Sequence, residues 1–315
     1  MIDALVDPLG YDFFVRAMLA AVVVGTVCAV VGTFVVLRGI AFIGDAVAHA
    51  SFPGVVAAYL LAIPFYLGAA VAAVSTALAI GYVTRRARIR ADTAIGVLFA
   101  GTFALGVFLY STIDGYVADL FSFLFGYLLS IDLSDLIALT ALGALVLLVV
   151  GVFWKELLYA TFDPQGAAAS GLRVVWLEYL FLALVALTIV ISLQAVGIIL
   201  VVAMLVTPAA TAQLLTVRFG SLMGLAIVVG VLSSVAGLYL SFWLDVASGA
   251  TIVLVQTATF LVVLAVSPRT GLLGRRSRAA EPVPISLGVG RDGGVPVEPI
   301  GDRPQPGGNE LRDRS

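Results

Sequence analysis

Residues 38–54 read RGIAFIGDAVAHASFPG, and this stretch contains the one histidine of the 315-residue chain. Asp45 precedes His49 by four positions, and both lie within a long apolar segment. Positions i and i+4 share one face of a helix, so the two side chains are expected to point the same way, one turn apart. A carboxylate at membrane depth costs about 2.5–3.5 kcal/mol, so an aspartate there is expected to have a partner or a function. An Asp–His pair also supplies the oxygen and nitrogen ligands that suit a divalent transition metal.

The composition of the chain is that of a membrane protein. Hydrophobic residues make up 62% of it and charged residues 11%, against about 45–50% and about 25% in soluble domains. Apolar runs of about twenty residues recur, and each is long enough to cross a bilayer as a helix. The first run, 13–37, is too long for the core of a signal peptide. We therefore predict an all-α, polytopic bundle of membrane helices.

The apolar runs predict nine membrane-spanning helices, with eight as the alternative count. Charged residues, Gly and Pro bound the runs. The predicted helices lie near 13–37, 40–62, 64–84, 92–113, 134–154, 175–194, 197–216, 221–243 and 250–267. The aromatic, half-apolar segment 115–133 predicts a short interfacial helix instead of a span.

The basic residues predict the orientation, because Lys and Arg prefer the cytoplasmic side of a membrane. If segment 85–91 is inside, alternation of the spans leaves only Arg16, among 17 Lys and Arg, near the outside. We therefore predict an outside N-terminus and an inside C-terminus. At about 1.5 Å per residue, Asp45 and His49 are then expected about 10 and 16 Å deeper than Arg38, near the middle of a core about 30 Å thick.

The chain changes character after Pro268. Residues 1–267 contain the predicted transmembrane domain, whereas 268–315 lack apolar runs and are rich in Arg, Gly and Pro. Such a segment cannot bury enough apolar surface to offset the entropy of ordering it. We predict a disordered cytoplasmic tail.

The longest predicted cytoplasmic loop, residues 155–172, contains signals of a short helix. Asp163 followed by Pro164 is typical of an N-cap with proline at the first helical position, and Gly171 is placed to end the helix. Spacing alone favours an ordinary surface helix. The one lysine of the chain, Lys155, lacks the preceding glycines of a nucleotide-binding loop. Any ATP hydrolysis that drives this protein must therefore occur on a separate chain.

Four segments together resemble the permeases of ATP-binding-cassette importers for zinc, manganese and iron. They are Leu37 to Gly54, the motif Phe162-Asp163-Pro164-Gln165 with Gly171, residues 196–210 and residues 244–254. The resemblance extends in order from about residue 12 to 267. It implies a non-catalytic permease subunit in the plasma membrane of a prokaryote. The implied partners are an ATP-binding subunit on the cytoplasmic face, an extracellular metal-binding protein, a second permease copy in a homodimer and the lipid bilayer, with no nucleic acid.

The resemblance also implies roles for particular residues. Asp45 and His49 would contact the transported zinc, manganese or iron ion along its path, and no cofactor would stay bound. The residues that would couple the permease to the ATPase are Phe162, Asp163, Pro164, Gln165 and Gly171. Asp245, at the outer end of the eighth predicted span, is a candidate outer gate or docking point for the binding protein. A solvated helix end is the alternative for Asp245.

Other interpretations of the Asp45–His49 pair stay open on sequence alone. The pair would serve as the proton relay of a proton-coupled secondary transporter, which needs no ATPase. It would also serve as a hydrogen-bonded pair that merely holds two helices together. A siderophore-type permease for an iron chelate would instead need a wide and neutral path. Nitrogen and oxygen ligands do not choose among zinc, manganese and iron.

Overall fold

A computed structural model of the protein describes residues 7–113 and 131–267. Within these ranges the ordered elements are helices, and no strand occurs. The predicted interfacial segment 115–133, apart from its last three residues, lies outside the described residues. The predicted tail, 268–315, lies outside them as well.

A short 3₁₀ helix, Asp7–Gly10, precedes the α-helices of the described ranges. The α-helices are α1 Asp12–Leu37, α2 Ile43–Leu61, α3 Phe65–Ala87, α4 Ala91–Tyr110, α5 Leu133–Val152, α6 Trp154–Phe162, α7 Pro164–Ala169, α8 Val174–Leu193, α9 Val196–Leu215, α10 Phe219–Leu244 and α11 Ser248–Val266.

A sharp turn at Gly197 separates α8 from α9. Gly197 has φ 75° and ψ 170°, a backbone conformation that is essentially restricted to glycine. The rings of Phe181 in α8 and Phe219, just after α9, both pack on Phe34, with centroid distances of 6.0 and 5.2 Å. An unbroken helix would place Phe181 about 50 Å from the end of α9. The chain therefore turns back at Gly197, and α8 and α9 are two separate helices, as predicted.

Eight of the described helices are long and apolar enough to cross a membrane, namely α1, α3, α4, α5, α8, α9, α10 and α11. The 19-residue helix α2 is not among them, and it carries Asp45, His49 and Pro53 between its apolar residues. Most side chains of α2 are nevertheless buried among the other helices. The polytopic all-α prediction is confirmed, and the alternative count of eight matches the helices that are apolar enough.

Side-chain contacts show which helix ends lie together at each end of the bundle. At one end, Arg38 after α1 bonds Thr161 of α6, and Arg85 of α3 pairs with Glu178 of α8. The other end has the contacts Tyr11–Phe242, Arg16–Asp132 and Tyr66–Asp135. Of the Lys and Arg in the described ranges, all but Arg16 lie at the first end, which we name the basic end. The predicted alternation agrees with these contacts, whereas the side of the membrane that the basic end faces stays a prediction.

Glycines allow the closest approaches between helices. A Cβ at Gly32 of α1 would overlap the backbone carbonyl of Leu205 in α9. Gly54 of α2 and Gly68 of α3 face each other in the same way, each with the other's carbonyl where a Cβ would stand. Small residues are what such backbone contacts between membrane helices require. Helices α1, α2, α3 and α9 thereby form a tight core, whereas most side chains of α4 and α11 are not buried.

Candidate functional site

A glycine turn after α1 sets the start of the helix that carries the candidate site. Gly39 has φ 68° and donates its N–H to the carbonyl of Val36, while Ile40 donates to Val35. This pair of bonds is the Schellman motif, in which glycine adopts the left-handed conformation at no steric cost. The turn leads the chain from α1 into α2, which packs against α3, α4 and the α8–α9 segment.

Helix α2 begins at Ile43, three residues later than predicted, because the turn takes up the residues after Arg38. Asp45 therefore lies in the first turn of α2. Counted from Ile43 at about 1.5 Å per residue, Asp45 is about 3 Å and His49 about 9 Å along the helix, less than we expected from Arg38. The positive end of the helix dipole stabilises a carboxylate in the first turn.

Asp45 and His49 contact each other, as their spacing predicts. Nδ1 of His49 lies 3.0 Å from the backbone carbonyl oxygen of Asp45 and 3.3 Å from its carboxylate Oδ1. A carbonyl oxygen only accepts hydrogen bonds, so the ring proton belongs on Nδ1 and the lone pair on Nε2 is left free. Histidines that bind metals usually donate their other ring N–H to a carbonyl or a carboxylate in this way. The geometry therefore offers Nε2 of His49 as a metal ligand, with Asp45 orienting the ring.

The rings of α4 form an apolar wall beside the pair. Phe99 and Phe103 meet the imidazole of His49 edge-on, with centroid distances of 5.3 and 5.7 Å. On the open side, the side chain of His49 is 27% exposed and that of Asp45 is 47% exposed. The pair is therefore fixed on one side and accessible on the other.

The described residues supply few ligands for a metal. Nowhere in residues 7–113 and 131–267 do three or more His, Cys, Asp or Glu side chains cluster as a metal site would require. Tight sites for transition metals usually have three or four protein ligands. The Asp45–His49 pair alone therefore suits passing contact with a metal better than permanent binding.

Asp245 lies far from both Asp45 and His49. It lies in an exposed turn after α10, with φ 52°. That turn is at the end of the bundle opposite the basic end, close to Phe242, whose ring packs on Tyr11. The role of Asp245 as an outer gate stays a prediction.

Residues 155–172 form two short helices, α6 and α7, where we predicted one. Asp163 caps α7, since its Oδ1 accepts the N–H of Gly166 at 2.8 Å, and Pro164 takes the first helical position. Gly171 has φ 90° and reverses the chain after α7. The capped helix that the spacing predicts is therefore present.

The side chains around α7 are open to a partner. Phe162 is 61% exposed, and its ring meets that of Phe219 edge-to-face at a centroid distance of 6.1 Å. Gln165 is exposed as well. These residues lie at the basic end, where a protein on that face of the membrane would meet them.

Two polar contacts near α6 and α7 were not predicted from the sequence. Nε of Arg38 donates to Oγ1 of Thr161 at 3.0 Å, and Arg85 pairs with Glu178 at 2.6 Å. The partners are 123 and 93 positions apart in the chain, so no local pattern signals them. One indication in the sequence that Arg38 has a specific partner was its position directly after a 26-residue apolar helix.

A cavity of about 450 Å³ lies at this place, lined by Arg38, Thr84, Arg85, Thr161 and Glu178 together with apolar side chains. The hydroxyl of Thr84 is buried and has no hydrogen-bond partner among the described residues. Ile43, the first residue of α2, also lines the cavity. The cavity therefore separates the start of the Asp45–His49 helix from the segment that carries α7.

Comparison with known proteins matches residues 10–267 to the ABC 3 transport family. The manganese transport system membrane protein MntC of Halalkalibacterium halodurans is 46% identical, over 85% of this chain and 91% of the relative. A probable iron transport system membrane protein of Haemophilus influenzae is 38% identical, over 90% of this chain and 100% of the relative. Among solved structures, PsaBC from Streptococcus pneumoniae in complex with Fab is 37% identical with a TM-score of 0.77, over 88% of this chain and 100% of that one.

Proposed function

Since the chain belongs to the ABC 3 transport family and is a non-catalytic membrane subunit of a metal-ion transporter, we propose that it moves manganese into the cytoplasm along a path that includes Asp45 and His49. The observation that carries this proposal is the hydrogen bond from Nδ1 of His49 to the Asp45 carbonyl. That bond leaves Nε2 available to a metal ion. An oriented imidazole on the open side of a membrane helix has little use in a purely structural pair.

We propose manganese as the cargo because several similar relatives are named for manganese transport. Those that are 43–46% identical over at least 84% of this chain are named for manganese transport. Relatives named for iron or chelated iron are 38–42% identical, so ferrous iron is the second candidate. The ligand types do not distinguish the metals, because a carboxylate oxygen suits manganese whereas an imidazole nitrogen suits iron and zinc. Uptake measurements with each metal distinguish them.

A second copy of the chain would complete the metal site. Helix α4, whose rings pack on the pair, has open space on other parts of its surface, since a Cβ at Gly96 or at Gly101 would meet no atom within 4 Å. Charged and polar groups that face lipid are costly and are usually covered by protein or by water. A symmetric partner packed on the open side of Asp45 and His49 would cover the pair and add its own Asp and His, because a two-fold interface brings the same residues together from both sides. The homodimer would then hold up to four ligands around one ion.

The ATP-binding subunit would contact the basic end. Phe162 and Gln165 are exposed there around the capped helix α7, and the positive-inside rule places that end in the cytoplasm of a cell whose plasma membrane holds the permease. A metal-binding protein would deliver the ion to the opposite end, where the exposed turn at Asp245 lies. The chain itself would hold no cofactor.

Uptake by proteoliposomes tests the proposal. The permease is reconstituted with its ATP-binding subunit and its metal-binding protein, and radiolabelled Mn²⁺, Fe²⁺ and Zn²⁺ are offered with and without ATP. We expect ATP-dependent accumulation, with Mn²⁺ taken up at the lowest concentration. Uptake that follows a proton gradient and ignores ATP would support the proton relay instead. Uptake of an iron chelate without uptake of any free ion would contradict the proposed path.

A further inference from the structure

Arg38 joins three parts of the molecule at the basic end. Its backbone caps α1, and its Nε donates to Oγ1 of Thr161 in α6 at 3.0 Å. Its guanidinium carbon lies 4.0 Å from the ring centroid of Phe181 in α8. A planar guanidinium forms a directed hydrogen bond and stacks on an aromatic face at the same time, which lysine cannot do. Arg38 therefore has one defined position between α6 and α8.

The burial of Arg38 increases its dependence on these contacts. Burial lowers the pKa of Arg38 to about 10, and the nearby carboxylate of Glu178 opposes this effect in part. The side chain is still protonated at pH 7. A charge that has lost much of its water depends strongly on its remaining partners. Thr161 supplies the one hydrogen bond that the described residues give to this guanidinium.

Arg38 also lies on a short route from α7 to the metal pair. Thr161 stands two residues before Asp163, the cap of α7. On the other side, the turn at Gly39 connects Arg38 to α2, whose third residue is Asp45. One hydrogen bond therefore links the segment that faces the ATPase to the segment that begins the metal path.

The cavity of about 450 Å³ next to this hydrogen bond leaves room for movement. It is lined by Thr161 and Pro164 on one side and by Arg38 and Ile43 on the other. Well-packed side chains transmit a displacement through all of their contacts, whereas an open space does not. The bond from Arg38 to Thr161 is a polar contact between α6 and the end of α1, and the Phe34 and Trp154 rings of these helices also meet, with a centroid distance of 6.0 Å.

We propose that the Arg38–Thr161 hydrogen bond transmits displacement of α7 to α2 and thereby moves Asp45 and His49 when the ATPase acts. Arg38 is a positioning residue in this account, because it touches no metal ion. The inference rests on the proposed function. The alternative is a purely structural contact. It would hold α1, α6 and α8 together without affecting how ATP hydrolysis is converted into transport.

The test measures ATP hydrolysis and Mn²⁺ uptake in the same proteoliposomes of the complete complex. Thr161→Val removes the acceptor of the hydrogen bond at nearly constant volume, and Thr161→Ser keeps a hydroxyl there. The matched control is Thr188→Val, because the buried Thr188 hydroxyl bonds only the Leu184 carbonyl of its own helix. We expect Thr161→Val to lower the Mn²⁺ transported per ATP about tenfold, in the range of a lost hydrogen bond to a charged group. Thr161→Ser and Thr188→Val should stay within about twofold of the wild type.

Arg38→Lys provides an independent variant. It keeps the positive charge but loses the Nε donor and the stacked plane, so it should uncouple transport as Thr161→Val does. The double variant Arg38→Lys/Thr161→Val should be no worse than the more severe single variant, because both remove the same interaction.

An unchanged ratio of Mn²⁺ to ATP in both Thr161→Val and Arg38→Lys would overturn the inference. It would do so whether both rates stay normal or both fall by the same factor, as a purely structural contact predicts. A wild-type complex that hydrolyses ATP without any metal uptake would instead contradict the proposed function, so the two failures are distinguishable.

Discussion

At the scale of single residues, the geometry of Asp45 and His49 predicts different roles for them toward a metal ion. The ring nitrogen Nδ1 of His49 is engaged by Asp45 through both the carbonyl and the carboxylate. Only Nε2 is therefore free to bind. Asp45 orients the ring from its place in the first turn of α2. We therefore propose that the histidine binds the metal ion and that the aspartate supports it.

This division predicts unequal effects of substitution. His49→Ala removes the nitrogen ligand and should reduce Mn²⁺ uptake to the background. Asp45→Asn keeps an oxygen acceptor for Nδ1 and should raise the KM for Mn²⁺ by about 10–100-fold, as for other groups that support a metal ligand. Initial uptake rates at varied Mn²⁺ concentration measure both effects. An Asp45→Asn variant that is as inactive as His49→Ala would show that the carboxylate charge itself is the ligand.

The contact within this pair was predictable from the sequence, because residues four apart meet on a helix. The tautomer was not, because it depends on how the imidazole ring is oriented, and that ring packs on Phe99 and Phe103 of another helix. The contact between Arg38 and Thr161 was out of reach for a different reason, since the two residues are 123 positions apart.

At the scale of elements, the cap of α7 stabilises the segment that we propose contacts the ATPase. A six-residue helix has little stability of its own, so the bond from the Gly166 N–H to Asp163 matters more than in a long helix. The segment is held at both ends, by this cap and by the left-handed Gly171.

Asp163→Ala should therefore weaken binding of the ATP-binding subunit, because loss of the cap costs about 1 kcal/mol of helix stability. That value corresponds to about a fivefold rise in the Kd between permease and ATPase. Asp163→Asn keeps the capping oxygen and should bind normally. The Kd is measured by titrating the purified permease with the ATP-binding subunit. Equal weakening by both variants would show that Asp163 acts through its charge on the partner.

The contact of α1 with α9 predicts a second effect at this scale. Gly32→Ala puts a Cβ onto the Leu205 carbonyl, and overpacking of this kind costs about 1–3 kcal/mol. The Tm of the purified permease should fall accordingly. Gly151→Ala, on α5, is the matched control because a Cβ there meets no atom within 4 Å. A Tm that drops equally in both variants would contradict the packing described for α1 and α9.

Apolar length predicted the membrane helices well, including the break between α8 and α9, because a run of about forty apolar residues exceeds one span. The prediction missed α6, since the amphipathic residues after Val152 follow α5 without a clear breaker. It also started α2 too early, because Gly39 marks a turn that takes up the residues following it. Both errors concern connections, where the chain path depends on contacts between distant segments.

At the scale of the whole molecule, the two ends of the bundle differ in charge. Arg38, Arg85 and their neighbours gather at one end, and Arg16 lies at the other. Side-chain contacts establish which segments share an end, and the positive-inside rule predicts that the basic end faces the cytoplasm.

Reporter fusions check this orientation. Alkaline phosphatase is active only outside the cytoplasm, so a fusion after Arg90 should be inactive and a fusion after Asp245 should be active. The physical reason is the cost of moving the arginines of the basic end across the membrane. The reverse pattern would place the ATPase contact on the wrong side and would contradict an importer.

The central claim is that a metal ion driven by ATP hydrolysis passes Asp45 and His49. The most direct test is uptake of radiolabelled Mn²⁺ by proteoliposomes that contain the complete complex with Asp45→Ala/His49→Ala. The account predicts that uptake falls to the level measured without ATP, while the complex stays assembled and still hydrolyses ATP. Uptake by this double variant at the wild-type rate would contradict it.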